Sequence, residues 1–247
     1  MELPPAFFKL FDNLPRQGPG SKESTLKALD KLPALPESPI VIDVGCGSGT
    51  QTLVLVKKLG VPVTAIDIYE PGLQRLDAAA RELGFGDLIT TRHADMNDLG
   101  YAPESVDLIW SEGAIYNIGF GDGLRKWRPM LKPGGLAAVS ELAWLTDNPP
   151  KEVNNYLRAE YPGIGTVNSN IEAATAAGFE VFEHFALPKE AWWDDYYTPL
   201  LERIARFKPD DDEEMSAVIE MTEKEIEMHR RFSDSYGYVF FLMRRII

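Results

Sequence analysis

Val41-Ile42-Asp43-Val44-Gly45-Cys46-Gly47-Ser48-Gly49-Thr50 passes from an apolar, β-branched run through a glycine loop into a helix-forming stretch. The run, extended back to Ile40, reads as a buried strand, and Gln51–Leu59 as the helix that follows it. Glycine at alternate positions has two uses at a strand-to-helix turn. It tolerates positive φ, and it lacks the Cβ that would hold a ligand away from the backbone. Asp43, Gly45 and Gly47 are therefore candidates to border a bound nucleotide. The spacing is G-x-G-x-G, with Thr50 where a dinucleotide fingerprint carries its third glycine, which disfavours an NAD-linked oxidoreductase. Taken alone, the loop fits a tight turn without a ligand equally well.

Outward from this loop, β-rich and helical runs alternate. Val63–Asp67, Leu88–His93, Val106–Trp110, Leu136–Leu142 and Phe179–Phe185 read as strands. Pro71–Leu83, Leu124–Leu131 and Ile171–Ala177 read as the helices among them. Such alternation is the pattern of an α/β fold with a parallel sheet and crossover helices. It stops after residue 187, where an aromatic stretch and a charged helix precede a last strand, Tyr236–Met243. The organisation expected is an N-terminal cap over 1–38, a core over 39–187, a helical insertion over 188–232 and a final core strand within 233–247. In the cap, Pro4, Pro5, Pro15, Pro19, Pro33 and Pro36 cut the chain into short helical pieces, one of them starting near Ser21 and including Leu26 and Leu29. The turn-rich Gln17–Ser21 reads as a lid or as a plain connector.

Two further signals fall at the edge where the glycine loop lies. Asp67 ends the second strand, where a carboxylate can accept both hydroxyls of a ribose, with Ile68 beside it. Asp95-Met96 follows the third strand, where an acid can accept from an adenine amino group while a thioether packs on the ring. Asp95 also fits a turn cap ahead of Asn97-Asp98. Together the three signals point to an adenosine-containing ligand without fixing a reaction.

With 38 acidic and 25 basic residues, the formal charge of -13 repels a phosphate backbone. Nucleic acid is therefore not the expected partner. The basic cluster His229-Arg230-Arg231 falls where a helix ends and suits its macrodipole. The acidic run Asp210–Glu214 likewise starts that helix, so no metal site is expected there. Cys46 is the only cysteine, which excludes an intrachain disulfide and matches a reducing compartment. There is no secretory pattern at the start and no apolar run long enough for a membrane span, so the expected location is cytoplasmic, away from membranes.

The segments VIDVGCGSGT, VTAIDIYE, RHADMNDLG, ESVDLIWSEGAIYNIGF and LKPGGLAAVSE resemble the class I S-adenosylmethionine (SAM)-dependent methyltransferases, within them the small-molecule branch that includes quinone-biosynthesis methylases. The resemblance spans residues 39–142 and, by strand order, the last strand. It implies a Rossmann-like, doubly wound sheet of about seven strands with a reversed last strand beside the fifth, and SAM across its carboxyl edge. It also implies roles: Gly45 and Gly47 near the methionine moiety, Asp67 and Ile68 at the ribose, Asp95 and Met96 at the adenine. Ser111 and Glu112 would lie nearest the amino-acid part and the methyl group. The family's N-terminal region covers the cofactor, which brings Gln17 and Ser21 into the set. After the fourth strand stands Ser-Glu-Gly-Ala, not the Asn-Pro-Pro-aromatic of enzymes that methylate amino groups of nucleobases or glutamine, so the implied acceptor is a small molecule.

Methyl transfer from a sulfonium is an in-line displacement on an activated donor, so alignment and exclusion of water supply much of the catalysis and a base is optional. Glu112, Tyr116 and His184 are the candidates where an acceptor must lose a proton; each has a second reading, as cofactor ligand, packing residue or ordinary strand residue. Trp192, Trp193, Tyr196 and Tyr197 form the densest aromatic patch. Either they anchor the insertion, or some of them wall a substrate pocket with Tyr116, which would suit a planar or cationic acceptor. A SAM-binding module without turnover would carry the same motifs. The acceptor, the atom methylated and the oligomeric state stay open.

Overall fold

The computed structural model describes residues 4–207 and 212–246. Its strands are β1 (Val41–Val44), β2 (Val63–Asp67), β3 (Ile89–His93), β4 (Val106–Glu112), β5 (Leu131–Trp144), β6 (Gly165–Thr166), β7 (Phe179–Ala186) and β8 (Tyr236–Arg245). They form one sheet in the order β3-β2-β1-β4-β5-β8-β7, with β6 paired to β5 off this path. Neighbours from β3 to β5 run parallel, whereas β8 runs antiparallel to both β5 and β7. The reversed last strand thus lies beside the fifth, as expected. Every residue of β1 and β4 is buried, the composition of strands covered on both faces.

The helices are α1 (Pro5–Phe11), α2 (Lys22–Lys31), α3 (Thr50–Leu59), α4 (Glu70–Glu82), α5 (Phe120–Trp127), α6 (Lys151–Glu160), α7 (Val167–Ala176), α8 (Glu190–Trp192), α9 (Thr198–Phe207) and α10 (Glu213–Phe232). One sheet face, with Trp110, Tyr238 and Phe240, carries the core shared by α1–α4 and α8–α10; the other, with Ile109, Val139 and Phe241, packs on α5 and α7. The cap and the insertion therefore share a face and a core. Asp212 caps α10 by accepting from the backbone of Glu214 and Met215, while Asp210 and Asp211 of the acidic run lie outside the described residues.

Some elements differ from the sequence reading. α5 ends at Trp127, not Leu131; a 3-10 turn, Arg128–Met130, follows, and β5 begins at Leu131. The pairing with β4 then jumps from Val106↔Leu131 to Leu108↔Leu136, so Lys132–Gly135 bulges out of a strand that the sequence reading starts only at Leu136. α6 and β6 have no counterpart in that reading. α6 carries a short apolar stripe, with Val153 and Leu157 buried and Tyr156 packed beside them.

Between α8 and α9, Trp193–Tyr197 is a π-helical turn. The wider turn brings residues five apart into register, and Trp192 and Tyr197 lie with ring centroids 5.8 Å apart. Trp192 also stacks on His229 of α10 at 4.0 Å, and Tyr197 donates to Glu225 Oε1 at 2.8 Å. Burial drives the His229 imidazole down to about 4, so this ring is a neutral member of an aromatic core. Trp192→Ala is expected to cost about 3–5 kcal/mol through the cavity it leaves. A urea titration followed by far-UV circular dichroism checks this as a lowered midpoint.

Candidate functional site

A cleft follows the carboxyl ends of β1, β2 and β4, where a doubly wound sheet binds its ligands. It comprises two cavities of about 310 and 330 Å³ that share Gly45, Asp67 and Asn117 as lining residues. The second is lined by Ile68, Ala94, Asp95, Met96 and Ile118, a flat, mostly apolar slot. The first is lined from the sheet side by Gly47, Glu112, Gly113, Tyr116 and Tyr238, and from the cap by Phe7, Phe8, Phe11, Arg16 and Gln17.

The glycine loop supplies the floor. Gly45 has φ +73°, and a Cβ there would stand 2.3 Å from Ala114 Cβ; Gly47 has φ +56°, with Gln17 Oε1 3.0 Å from the place of its Cβ. Gly45 needs glycine for conformation and for space, Gly47 for conformation. Asp67 is fixed by the backbone: Gly47 N–H donates to Oδ2 at 2.7 Å and Tyr69 N–H to Oδ1 at 2.8 Å, leaving the outer lone pairs for a diol. Asp95 Oδ1 accepts from the backbone and side chain of Asn97, so it caps a turn and lines the slot at once.

Glu112 closes the cleft from behind. It is buried and accepts three hydrogen bonds: from Arg16 Nη2 at 2.8 Å, Thr25 Oγ1 at 2.7 Å and Trp110 Nε1 at 2.9 Å. The cap is latched at further points. Gln17 Oε1 accepts from Ser48 N–H and hydroxyl at 3.1 and 2.8 Å, Thr50 Oγ1 donates to Pro15 O at 2.6 Å, and Asp12 pairs with Arg75. Phe8 stacks on Tyr69 at 5.4 Å, and Gly20 N–H donates to Ala191 O of the insertion at 2.8 Å. Gln17–Ser21 is thus tied to both the glycine loop and the insertion.

The remaining candidates lie apart. Asp43 is fully buried behind the loop, where Thr52 donates to Oδ2 at 2.6 Å and burial raises its carboxyl to about 7. Ser111, next to Glu112 in β4, points to the opposite sheet face and is buried. The Ser21 hydroxyl accepts from Ser24 N–H as the cap of α2 and does not line the cleft. His184 lies exposed on the edge strand β7, its ring against Phe241, outside the cleft lining. The Cys46 thiol is buried, and desolvation pushes it well above its ordinary range, as befits a space-filling residue. Tyr116 lines the cleft, and desolvation raises its hydroxyl too. Trp192, Trp193 and Tyr197 gather around His229, and Tyr196 stacks on Tyr197 and approaches the cleft-lining Phe11 at 6.3 Å; none of the four lines either cavity, so they anchor the insertion. Sequence reasoning missed Arg16, Phe7, Phe8, Phe11 and Tyr238. An arginine between two prolines ahead of a Gly-Pro-Gly turn, and phenylalanines at i, i+1 and i+4 of a cap helix, were the available signals.

A family model described as a methyltransferase domain matches residues 41–135. The maize phosphoethanolamine N-methyltransferase 1 is 26% identical over 80% of this chain and 38% of its own length. The 27-O-demethylrifamycin SV methyltransferase of Amycolatopsis mediterranei is 26% identical over 49% of this chain and 46% of its own. The chain spans about two-fifths of the length of the curated relatives it matches first. Among solved structures, a SAM-dependent methyltransferase from Geobacter sulfurreducens, in complex with S-adenosylhomocysteine, superposes with a TM-score of 0.81 over 98% of both chains at 21% identity. Residues 41–135 thus match a methyltransferase domain, and the fold is that of SAM-dependent methyltransferases of known structure.

Glu112→Gln removes the charge that compensates a buried arginine and is expected to destabilise the fold by about 3–5 kcal/mol. It should also speed proteolysis at Gly18–Gly20, read by mass spectrometry of the fragments. Asp43 gives a pH dependence of defined sign. Its folded-state value of about 7 exceeds that of an unfolded aspartate, so the folded chain keeps a proton that the unfolded chain releases. Stability therefore falls as pH rises from the ordinary aspartate range to about 7 and is flat above it. Asp43→Asn should remove this share of the slope in urea midpoints measured at pH 5 to 8 (approximate range).

Proposed function

We propose that this protein transfers the methyl group of SAM to a small-molecule acceptor bound beneath the cap. The observation that carries this reading is the cleft: the glycine floor, the backbone-held Asp67 and the Asp95–Met96 slot lie in one continuous depression of the size and chemistry of an adenosyl ligand. The residues present fit the cofactor on two counts. Gly45 stands where any Cβ would collide, and Arg16, buried in the cleft wall, has an Nη1 without a hydrogen-bond partner, suited to a carboxylate. Asp67 would take the ribose hydroxyls; Asp95, Met96, Ile68 and Ile118 would hold the adenine; Arg16 and Gln17 would lie nearest the methionine part. When bound, SAM supplies a methyl group on a sulfonium.

The protein's share is placement and exclusion of water by the cap and the insertion. Glu112 is not the base in this reading, because its two oxygens are engaged by three donors. His184 stands outside the cleft. The charge of -13 supports a small molecule over nucleic acid, and the single cysteine supports a cytoplasmic location.

SAM and S-adenosylhomocysteine should both raise the melting temperature and give saturable heats in calorimetry. Asp67→Ala should weaken both by about 1.5–3 kcal/mol, roughly ten- to a hundredfold, with the fold retained. A folded protein that shows no heat with either ligand would overturn the reading.

A further inference from the structure

Beyond Gly113, the cleft ends in tyrosines. Tyr116 and Tyr238 line it, and a Cβ at Gly113 would lie 3.5 Å from the Tyr238 ring. Tyr196 adjoins through Phe11, which also lines the cleft. Tyr196 and Tyr238 are 5% and 9% exposed, and neither hydroxyl has a hydrogen-bond partner among the described residues. Around them stand two carboxyls that form no ion pair among the described residues. Glu225 accepts from Tyr197, and Glu141 accepts from Tyr161 at 2.6 Å while its Oε2 is buried without a partner. Tyr161 in turn packs edge-on against Tyr116 at 5.9 Å. Burial first, and then Glu225 for Tyr196, and Tyr116 and Glu141 for Tyr238, raise these phenols, which keeps the rings neutral; burial shifts Tyr116 the same way.

We propose that this tyrosine-lined end of the cleft, lined by Tyr116 and Tyr238, with Tyr196 behind Phe11 and the carboxyls of Glu225 and Glu141 further back, receives the nitrogen of a small aliphatic amine, which is the methyl acceptor. The proposal rests on the methyltransferase reading above and adds the substrate class to it. Aromatic faces and nearby carboxyls favour a cation. In transfer to an amine the positive charge only moves. The free-base nitrogen, having given its proton to water, attacks the methyl carbon; the N–C bond forms, the S–C bond breaks, and its electron pair stays on sulfur as the neutral thioether. The charge that leaves sulfur arrives on nitrogen, where the rings and carboxyls stabilise it. An alcohol or carbon acid would instead need a base in contact with it. Among the described residues the carboxylates lining this cavity are Asp67, at the ribose position, and Glu112, paired with Arg16 and holding two further donors. A cavity of about 310 Å³, shared with the methionine part of SAM, limits the amine to a small one.

The test uses choline and 3,3-dimethyl-1-butanol, which share a shape and differ in charge. Titrated by calorimetry into the full chain saturated with S-adenosylhomocysteine, choline should bind at least tenfold more tightly than the alcohol. Tyr196→Leu and Tyr238→Leu should each reduce choline affinity by tenfold or more, and the milder Glu225→Gln severalfold, with S-adenosylhomocysteine affinity within twofold of the parent. In turnover assays, small primary and secondary amines should yield methylated products, at rates that rise with pH toward the amine's own pKa, and their hydroxyl counterparts should not. Equal affinity for choline and the alcohol, binding of neither, or methylation of alcohols alone would overturn the proposal while S-adenosylhomocysteine still binds. Loss of S-adenosylhomocysteine binding in the parent protein would overturn the underlying reading instead.

Discussion

The Glu112 carboxylate is the junction on which the cleft depends. It is charged, buried and placed at the end of the central strand β4, and such a group is tolerated in a protein interior only when its lone pairs are occupied. Its donors come from three separate places: the indole of Trp110 two residues earlier, the hydroxyl of Thr25 on α2 and the guanidinium of Arg16 in the cap loop. The sheet can hold this charge only if the cap is seated, and the seated cap completes the cleft wall. The same arrangement keeps Glu112 from proton transfer, since a carboxylate committed to three donors is a poor acceptor for a fourth.

The electrostatics of the sheet edge follow from how each acid is held. Asp43, deepest, has its carboxyl raised to about 7 by burial. Glu112 is neutralised by Arg16, and Asp67 is braced by two backbone N–H groups while still lining the cleft. Three acids at one sheet edge thus have three environments, and Asp67 is the one braced by backbone alone.

The parts of this structure legible in the sequence are those decided locally. The glycine loop, Asp67 and Asp95–Met96 follow from strand endings and turn chemistry, which a few consecutive residues specify, and the reversed position of β8 came with the family resemblance. What was hidden depends on distant partners. Arg16 gives no local sign that its counter-charge lies 96 positions away. The faces of Trp192–Tyr197 could not be assigned by helical periodicity, because the π-helical turn changes the period within that stretch. The resemblance implies both Ser111 and Glu112 beside the ligand, yet adjacent strand residues point to opposite faces, and only Glu112 lines the cleft.

The place of β8 has a consequence for how the chain is made. Its ten residues are the last strand in sequence, yet they lie between β5 and β7 and pair along most of both. Until residues 236–245 leave the ribosome, β5 and β7 present unpaired edges, and Trp192 lacks the Tyr236 and Tyr238 rings against which it packs. The aromatic insertion must therefore wait in an unfinished core during synthesis, a state with exposed strand edges and apolar surface that favours aggregation. Folding of this half waits for that strand, and its rate is governed by closure of contacts far apart in sequence rather than by any local helix.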